Sequence, residues 1–129
     1  MVVMKFGGSS VGDAERIKNV CNIVKSKLNE KPIVVLSAVK GITDKLIETA
    51  KKAANDDDVS KELEEIRSKH HKILNDLGLD ETLVDKQLDE FDKVIDKIFL
   101  MKRTGVELMD EVQSFGERMS VRITAAYLN

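Results

Sequence analysis

The 129-residue sequence contains one proline, one cysteine, one tyrosine and no tryptophan. With Cys21 as its single cysteine it cannot form an internal disulfide, which excludes a disulfide-stabilised secreted fold and favours a reducing compartment. The low proline and aromatic content favours a helix-rich domain. The composition is therefore that of a small intracellular domain that relies on an apolar core.

Long apolar runs and an excess of positive charge are also absent. The longest apolar stretch, residues 33–39, is interrupted by Ser37 and is too short to cross a membrane. The N-terminus has no long apolar region and no A-x-A-like cleavage site. The net charge of −2 argues against nucleic-acid binding, which requires a basic surface. We expect a soluble, cytoplasmic protein that binds neither nucleic acid nor a membrane.

The first 54 residues alternate between strand and helix patterns. Val2–Phe6 predicts a short strand, and the apolar residues of Asp13–Leu28 recur every three or four positions, which predicts a helix. Ile33–Leu36 is continuously apolar, which is typical of a strand buried on both faces in a parallel sheet. A second helix is predicted to reach Ala54. This order predicts a βαβα unit over residues 1–54.

The second half of the sequence is predicted to be helical. Residues 60–102 carry two apolar helical faces separated by Leu77–Asp80, which predicts an antiparallel helical hairpin inserted after the βαβα unit. Residues 107–129 predict a further helical segment that is broken at Ser114–Glu117.

Two clusters of potential metal ligands are assigned structural roles. Asn55–Asp58 fits a solvated linker with a helix N-cap. The adjacent His70 and His71 point about 100° apart on a helix, so they do not chelate one ion. We expect His70 to pack in the core or to cap a helix, His71 to be exposed, and no metal site to be built from protein side chains alone.

Only two strands are predicted, which is too few for an independently stable sheet. A parallel sheet also needs both of its faces covered. We therefore expect the chain to be part of a larger α/β domain, either as a fragment or as one half of a split protein.

A glycine-rich turn follows the first predicted strand, within Lys5-Phe6-Gly7-Gly8-Ser9-Ser10-Val11-Gly12. Its spacing fits neither G-x-G-x-x-G nor the P-loop, because Asp13 and Ala14 stand where the P-loop has Lys and Ser or Thr. Adjacent glycines before a helix let backbone N–H groups approach an anion, and Lys5 offers a positive charge. These residues alone leave a tight structural turn and a phosphate site equally open.

A second polar loop, Ser37–Thr43, follows the second predicted strand. Ligands of open α/β sheets bind beyond the carboxyl ends of the strands. We expect the two loops at the same edge of the sheet, which favours a binding site there.

Three segments resemble motifs of the aspartokinases, within the amino acid kinase superfamily. They are Lys5-Phe6-Gly7-Gly8-Ser9-Ser10-Val11, then Val34-Val35-Leu36-Ser37-Ala38 followed by Gly41-Ile42-Thr43-Asp44, and Ser114-Phe115-Gly116-Glu117-Arg118-Met119-Ser120. The first alone also fits acetylglutamate, carbamate and uridylate kinases, whereas the other two favour aspartokinase. The resemblance covers essentially the whole chain. It implies the N-terminal part of a three-layer α/β/α amino acid kinase domain with parallel strands and a helical-hairpin insertion.

The resemblance also implies roles for individual residues. Those matching the ATP-phosphate segment are Lys5, Phe6, Gly7, Gly8, Ser9 and Ser10, with Lys5 as the catalytic cation. Those matching positions that bind aspartate are Ser37, Thr43 and Glu117. The side-chain carboxylate of aspartate, with a pKa near 3.9, is ionised at neutral pH and needs no general base to attack the γ-phosphate.

The implied reaction converts ATP and L-aspartate to ADP and 4-phospho-L-aspartate, the first step of lysine, threonine and methionine biosynthesis, with Mg²⁺ carried by the nucleotide. The nucleotide-binding half and the ACT domains of such enzymes lie outside this sequence. We therefore expect the isolated chain to be inactive and to pair with the C-terminal half of the kinase domain, and we expect a homo-oligomer. The alternative is a non-catalytic binding or assembly subunit, or a degenerate remnant, that pairs with a full-length kinase.

Overall fold

Two parallel strands and five α-helices make up the protein, whose structure, a computed structural model, describes residues 1–129. The strands and helices in chain order are β1 Val2–Phe6, α1 Ala14–Ser26, β2 Pro32–Leu36, α2 Ile42–Ala54, α3 Ser60–Asp76, α4 Asp85–Met101 and α5 Gly105–Leu128. Short 3₁₀ turns lie at Gly8–Val11 and Leu28–Glu30. None of the helices combines the length and the apolar character needed to cross a membrane.

The two strands pair in parallel through the crossover helix α1. Lys5 lies beside Val35 and Phe6 beside Leu36. One further bond extends the ladder, since the Ser37 N–H donates to the Phe6 carbonyl at 3.0 Å. A parallel pair requires a crossover of this kind, so the predicted α/β class with parallel strands is confirmed.

The sheet is covered on one face only. Phe6 and Leu36 pack against the core. On the opposite face Val3, Ile33 and Val35 are 65%, 49% and 45% exposed. The prediction that the second strand is buried on both faces is therefore wrong for these 129 residues, because all five helices leave this face uncovered.

Helix α2 is the centre of the helical layer and contacts α3, α4 and α5. Its buried apolar side chains recur at helical spacing and form one continuous face: Ile42, Leu46, Ala50 and Ala53. Two of these side chains are alanines, which allow neighbouring helices to approach closely. The start of this helix is therefore fixed by core packing, and its first turn lies beside the loop that follows β2.

Helices α3 and α4 are joined by charged side chains and lie within the predicted range 60–102. Arg67 of α3 donates to Asp89 at 2.9 Å and to Asp92 at 3.3 Å on α4. His71 is half-buried, with Nε2 2.9 Å from a carboxylate oxygen of Asp85. The prediction that His71 is exposed is therefore wrong, because α4 supplies it with a carboxylate partner.

His70 is fully buried, as predicted. Its Nδ1 lies 2.8 Å from the Ile66 carbonyl one turn earlier, so Nδ1 carries the proton and donates. Its Nε2 has no hydrogen-bond partner. Burial lowers the pKa of His70 and so favours the neutral ring.

Helix α5 runs without interruption through Ser114–Glu117, so the predicted break is wrong. Gly116 is a site of close packing within this helix. A Cβ at this position would lie 2.7 Å from the Cβ of Ala38 and 3.3 Å from Cγ2 of Ile42. The glycine therefore permits α5 to contact the loop after β2.

Replacing Gly116 with alanine tests this packing. Alanine favours a helix interior by about 1 kcal/mol over glycine. Overpacking costs about 1–3 kcal/mol, and a contact of 2.7 Å forces the backbone to move. We expect Gly116→Ala to lower the midpoint of thermal unfolding. Gln113→Ala, exposed on the same helix, is the control and should be close to neutral. An unchanged or raised midpoint for Gly116→Ala would contradict the packing account.

Candidate functional site

A polar cleft of about 340 Å³ opens at the carboxyl ends of both strands. The glycine-rich turn after β1, the loop between β2 and α2, the first turn of α2 and one residue of α5 form its walls. The lining residues are Gly8, Ser9, Ser37, Ala38, Val39, Lys40, Gly41, Thr43, Asp44 and Glu117. This edge is where ligands of parallel α/β sheets bind.

The cleft brings together residues from all three sequence motifs. Gly8 and Ser9 come from the first motif, Ser37 and Thr43 from the second, and Glu117 from the third. Lys40 and Asp44 also line the cleft, although the sequence motifs predict no role for them. The available signal was that Lys40 lies in the loop after the second strand and Asp44 in the first turn of the helix that follows it.

The remaining predicted site residues lie outside the lining of this cleft. Lys5 is on the exposed face of β1, beside Val35. Phe6 and Ser10 line a separate cavity of about 190 Å³ next to α1. Gly7 is part of the turn, where its carbonyl accepts a hydrogen bond from the Ser10 N–H at 3.0 Å.

The two loops of the cleft touch through their backbones at Gly8. A Cβ on Gly8 would lie 3.1 Å from the Ala38 carbonyl oxygen and 3.5 Å from Cα of Lys40. A side chain at this position would therefore require the facing loop to shift by a few tenths of an ångström. This close approach favours glycine at this position of the first motif.

Hydrogen bonds hold the glycine-rich turn to the start of α1. The Asp13 carboxylate caps the helix by accepting the Arg16 N–H at 2.9 Å. The Arg16 guanidinium in turn donates to the Ser9 carbonyl at 3.2 Å. Among the three polar residues that precede α1 and are able to cap it, Ser9, Ser10 and Asp13, the structure therefore selects Asp13.

The loop after β2 directs the N-terminus of α2 into the cleft. Gly41 adopts φ of +84°, a left-handed conformation that glycine favours. The Ile42 N–H donates to the Val39 carbonyl at 2.9 Å and closes the turn. Thr43 lies in the first helical turn, where the helix dipole favours negatively charged ligand groups.

The charged side chains of the cleft are one cation and two carboxylates. Lys40 is the cation, and Asp44 and Glu117 are the carboxylates. No group of three or more His, Cys, Asp or Glu side chains is arranged to hold a metal ion. The cleft therefore suits a ligand that carries both positive and negative groups.

A larger, mostly apolar groove of about 820 Å³ adjoins the cleft. It lies between β2 and α5, and Glu117 lines both the groove and the cleft. The apolar residues that line it are Val34, Val35, Leu36, Leu83, Val121, Ala125 and Ala126. The groove continues the exposed sheet face through Val35.

Comparison with known proteins identifies a family for the whole chain. The family model described as "Amino acid kinase family" matches residues 1–129. The chain is also 39% identical over 131 residues to "Aspartokinase 2, chloroplastic" of Arabidopsis thaliana, a match that covers 98% of this chain and 24% of the relative. The chain thus spans about a quarter of the length of the curated relatives it matches.

Solved structures share the fold. Escherichia coli aspartokinase III, in complex with aspartate and ADP, matches with a TM-score of 0.80 and 29% identity, over 99% of this chain and 28% of that one. The aspartate kinase of Clostridium acetobutylicum matches with a TM-score of 0.76 and 28% identity, over 100% of this chain and 29% of that one.

Proposed function

The chain belongs to the amino acid kinase family, and from this premise we propose that it is the aspartate- and phosphate-binding part of an aspartokinase. The proposed reaction transfers the γ-phosphoryl group of ATP to the side-chain carboxylate of L-aspartate, giving ADP and 4-phospho-L-aspartate. The observation that carries the proposal is the cleft in which residues of three distant motifs meet. The similarity to a structure solved with aspartate and ADP supports it.

The glycine-rich turn is the proposed phosphate-binding wall of the cleft. Gly8 and Ser9 place little side-chain bulk between the backbone and the cleft. Their N–H groups are therefore able to approach phosphate oxygens. The N-terminus of α2, which lines the same cleft through Thr43 and Asp44, adds a partial positive charge.

The loop after β2, the first turn of α2 and helix α5 form the proposed aspartate-binding wall. Ser37 and Thr43 offer hydroxyl groups to a carboxylate. Glu117 is a counter-charge for the ammonium group of aspartate. Because the attacking carboxylate is already ionised, catalysis consists of aligning it with the γ-phosphate and neutralising charge.

The proposed catalytic cation, Lys5, lies outside the cleft lining, whereas two carboxylates lie within it. Lys5 as the catalytic cation stays a prediction, since its side chain lies on the exposed face of β1. The cleft supplies two carboxylates, Asp44 and Glu117, which fits Mg²⁺ held mainly by nucleotide phosphates. Bound in this way, Mg²⁺ neutralises charge on the phosphates. The homo-oligomer and the cytoplasmic location also stay predictions.

Replacing Glu117 with glutamine tests the aspartate-binding role, in a kinase domain assembled from this chain and the remainder of the domain. A hydrogen bond to a charged group contributes about 1.5–3 kcal/mol, which corresponds to a change of about ten- to a hundredfold. We expect the KM for aspartate to rise by that factor and the KM for ATP to change little. Steady-state ADP release with each substrate varied gives both constants.

Glu107→Gln is the matched control, because Glu107 is exposed in the first turn of the same helix and lies outside the cleft. An unchanged KM for aspartate in Glu117→Gln would contradict the assigned role of Glu117. An assembled wild-type domain without aspartate-dependent ADP release would contradict the proposed function and favour the assembly subunit.

The exposed sheet face and the apolar groove are the proposed contact surface for the remainder of the kinase domain. The strands pair only with each other, so each leaves one edge free for a further parallel strand. Val3, Ile33 and Val35 present apolar surface on the uncovered face. "Aspartokinase 2, chloroplastic" of Arabidopsis thaliana is about four times longer than this chain, so it has further chain able to cover such a face.

Val35→Lys tests this contact surface with the remainder of the domain co-expressed as a separate polypeptide. A lysine ammonium buried without a partner costs several kcal/mol, so we expect the complex to be lost or its affinity to fall by about a hundredfold or more. Sedimentation and co-purification measure assembly. The control is Val106→Lys, because Val106 is 78% exposed at the start of α5. Assembly of Val35→Lys as tight as that of the control would exclude the face as the contact surface.

A further inference from the structure

Lys40 is the only positively charged side chain that lines the cleft. It is exposed, and no carboxylate oxygen lies within 4 Å of its ammonium group. Other lysines of the chain, including Lys45, Lys52 and Lys102, form ion pairs with nearby acids. The cleft therefore contains one cation whose charge no side chain of the protein compensates.

The backbone of Lys40 is held in place from two sides. The Lys69 ammonium of α3 donates to the Lys40 carbonyl at 3.0 Å. On the other side, a Cβ on Gly8 would lie 3.5 Å from Cα of Lys40, and a Cβ on Gly12 would lie 3.5 Å from its Cβ. Lys40 is thus fixed against the glycine-rich turn, while its flexible stem leaves the ammonium free to meet a ligand.

Binding of an anionic ligand in the cleft requires a cation, because the other charged side chains of the cleft are acidic. Asp44 and Glu117 are both carboxylates, so without Lys40 the side chains of the cleft carry only negative charge. Carboxylates and phosphates would be repelled by such a lining. One cation beside two acids instead permits a ligand that carries both signs of charge.

We propose that Lys40 binds an oxyanion of the ligands in this cleft, either the α-carboxylate of the amino acid substrate or a terminal phosphate of the nucleotide. The inference rests on the proposed function and adds a substrate-binding residue to it. Lys40 and Glu117 then recognise opposite charges of the bound molecules. The contribution of Lys40 is electrostatic, so it depends on the positive charge rather than on the shape of the side chain.

Kinetics of Lys40→Ala and Lys40→Arg in the assembled kinase domain test the proposal. Loss of one close opposite charge at a solvent-exposed site should raise the KM of the substrate that it contacts by about tenfold. Arginine keeps the charge and should keep the KM within about threefold of wild type. Lys97→Ala, an exposed lysine of α4 without an ion pair, is the control and should behave as wild type.

The two possible sources of the oxyanion predict different changes in the KM values. If Lys40 binds the α-carboxylate, Lys40→Ala raises the KM for aspartate. The KM for an aspartate analogue whose α-carboxylate is replaced by an amide is then the same in wild type and variant. If Lys40 binds phosphate, the KM for ATP rises instead. In both cases added salt should weaken binding less in Lys40→Ala than in wild type, because salt screens the lost attraction.

Calorimetric binding of aspartate and of MgADP to the same domains adds a readout that does not require turnover. Weaker binding of one ligand in Lys40→Ala, with recovery in Lys40→Arg, supports the proposal. Unchanged affinity for both ligands, or equal losses in the alanine and arginine variants, overturns it even in a domain that phosphorylates aspartate. A wild-type domain that binds these ligands but does not phosphorylate aspartate would instead refute the proposed function.

Discussion

The close approach of three backbone segments at Ala38 is the constraint on which the cleft depends. The Ala38 carbonyl lies 3.1 Å from the position of a Cβ on Gly8, and its methyl group lies 2.7 Å from that of a Cβ on Gly116. Two glycines from opposite ends of the chain therefore enclose one small residue. This contact places the glycine-rich turn, the loop after β2 and the charged Glu117 around the same space.

The helical layer supports the contact at Ala38, whereas nothing covers the opposite face of the sheet. The helical layer fixes the loop after β2 from one side, through the buried face of α2 and the bond from Lys69 to the Lys40 carbonyl. The opposite face of the sheet has no such support, because Val3, Ile33 and Val35 remain exposed. The chain is thus a well-packed helical layer attached to a sheet that requires a second covering layer.

The sequence predicted the features that follow from local pattern. Alternating strand and helix signals located β1, β2 and the parallel pairing, and the apolar periodicity located the helices. The predictions were wrong where residues distant in the sequence determine the local structure. The break predicted at Ser114–Glu117 is wrong because the reason for Gly116, its contact with the methyl group of Ala38, involves a residue far away in the sequence. The prediction that His71 is exposed is wrong because its partner, Asp85, is on another helix. The sequence does not identify Lys40 as a site residue, because only the contact of its loop with the Gly8 backbone places this lysine in the cleft.

The most direct test of the central claim compares aspartate-dependent ATP turnover by the isolated 129-residue chain with turnover by the chain assembled with the remainder of its kinase domain. The account predicts 4-phospho-L-aspartate from the assembled domain and little or none from the chain alone, since the cleft forms only one side of the proposed site. Turnover by the isolated chain close to that of the assembled domain would contradict it.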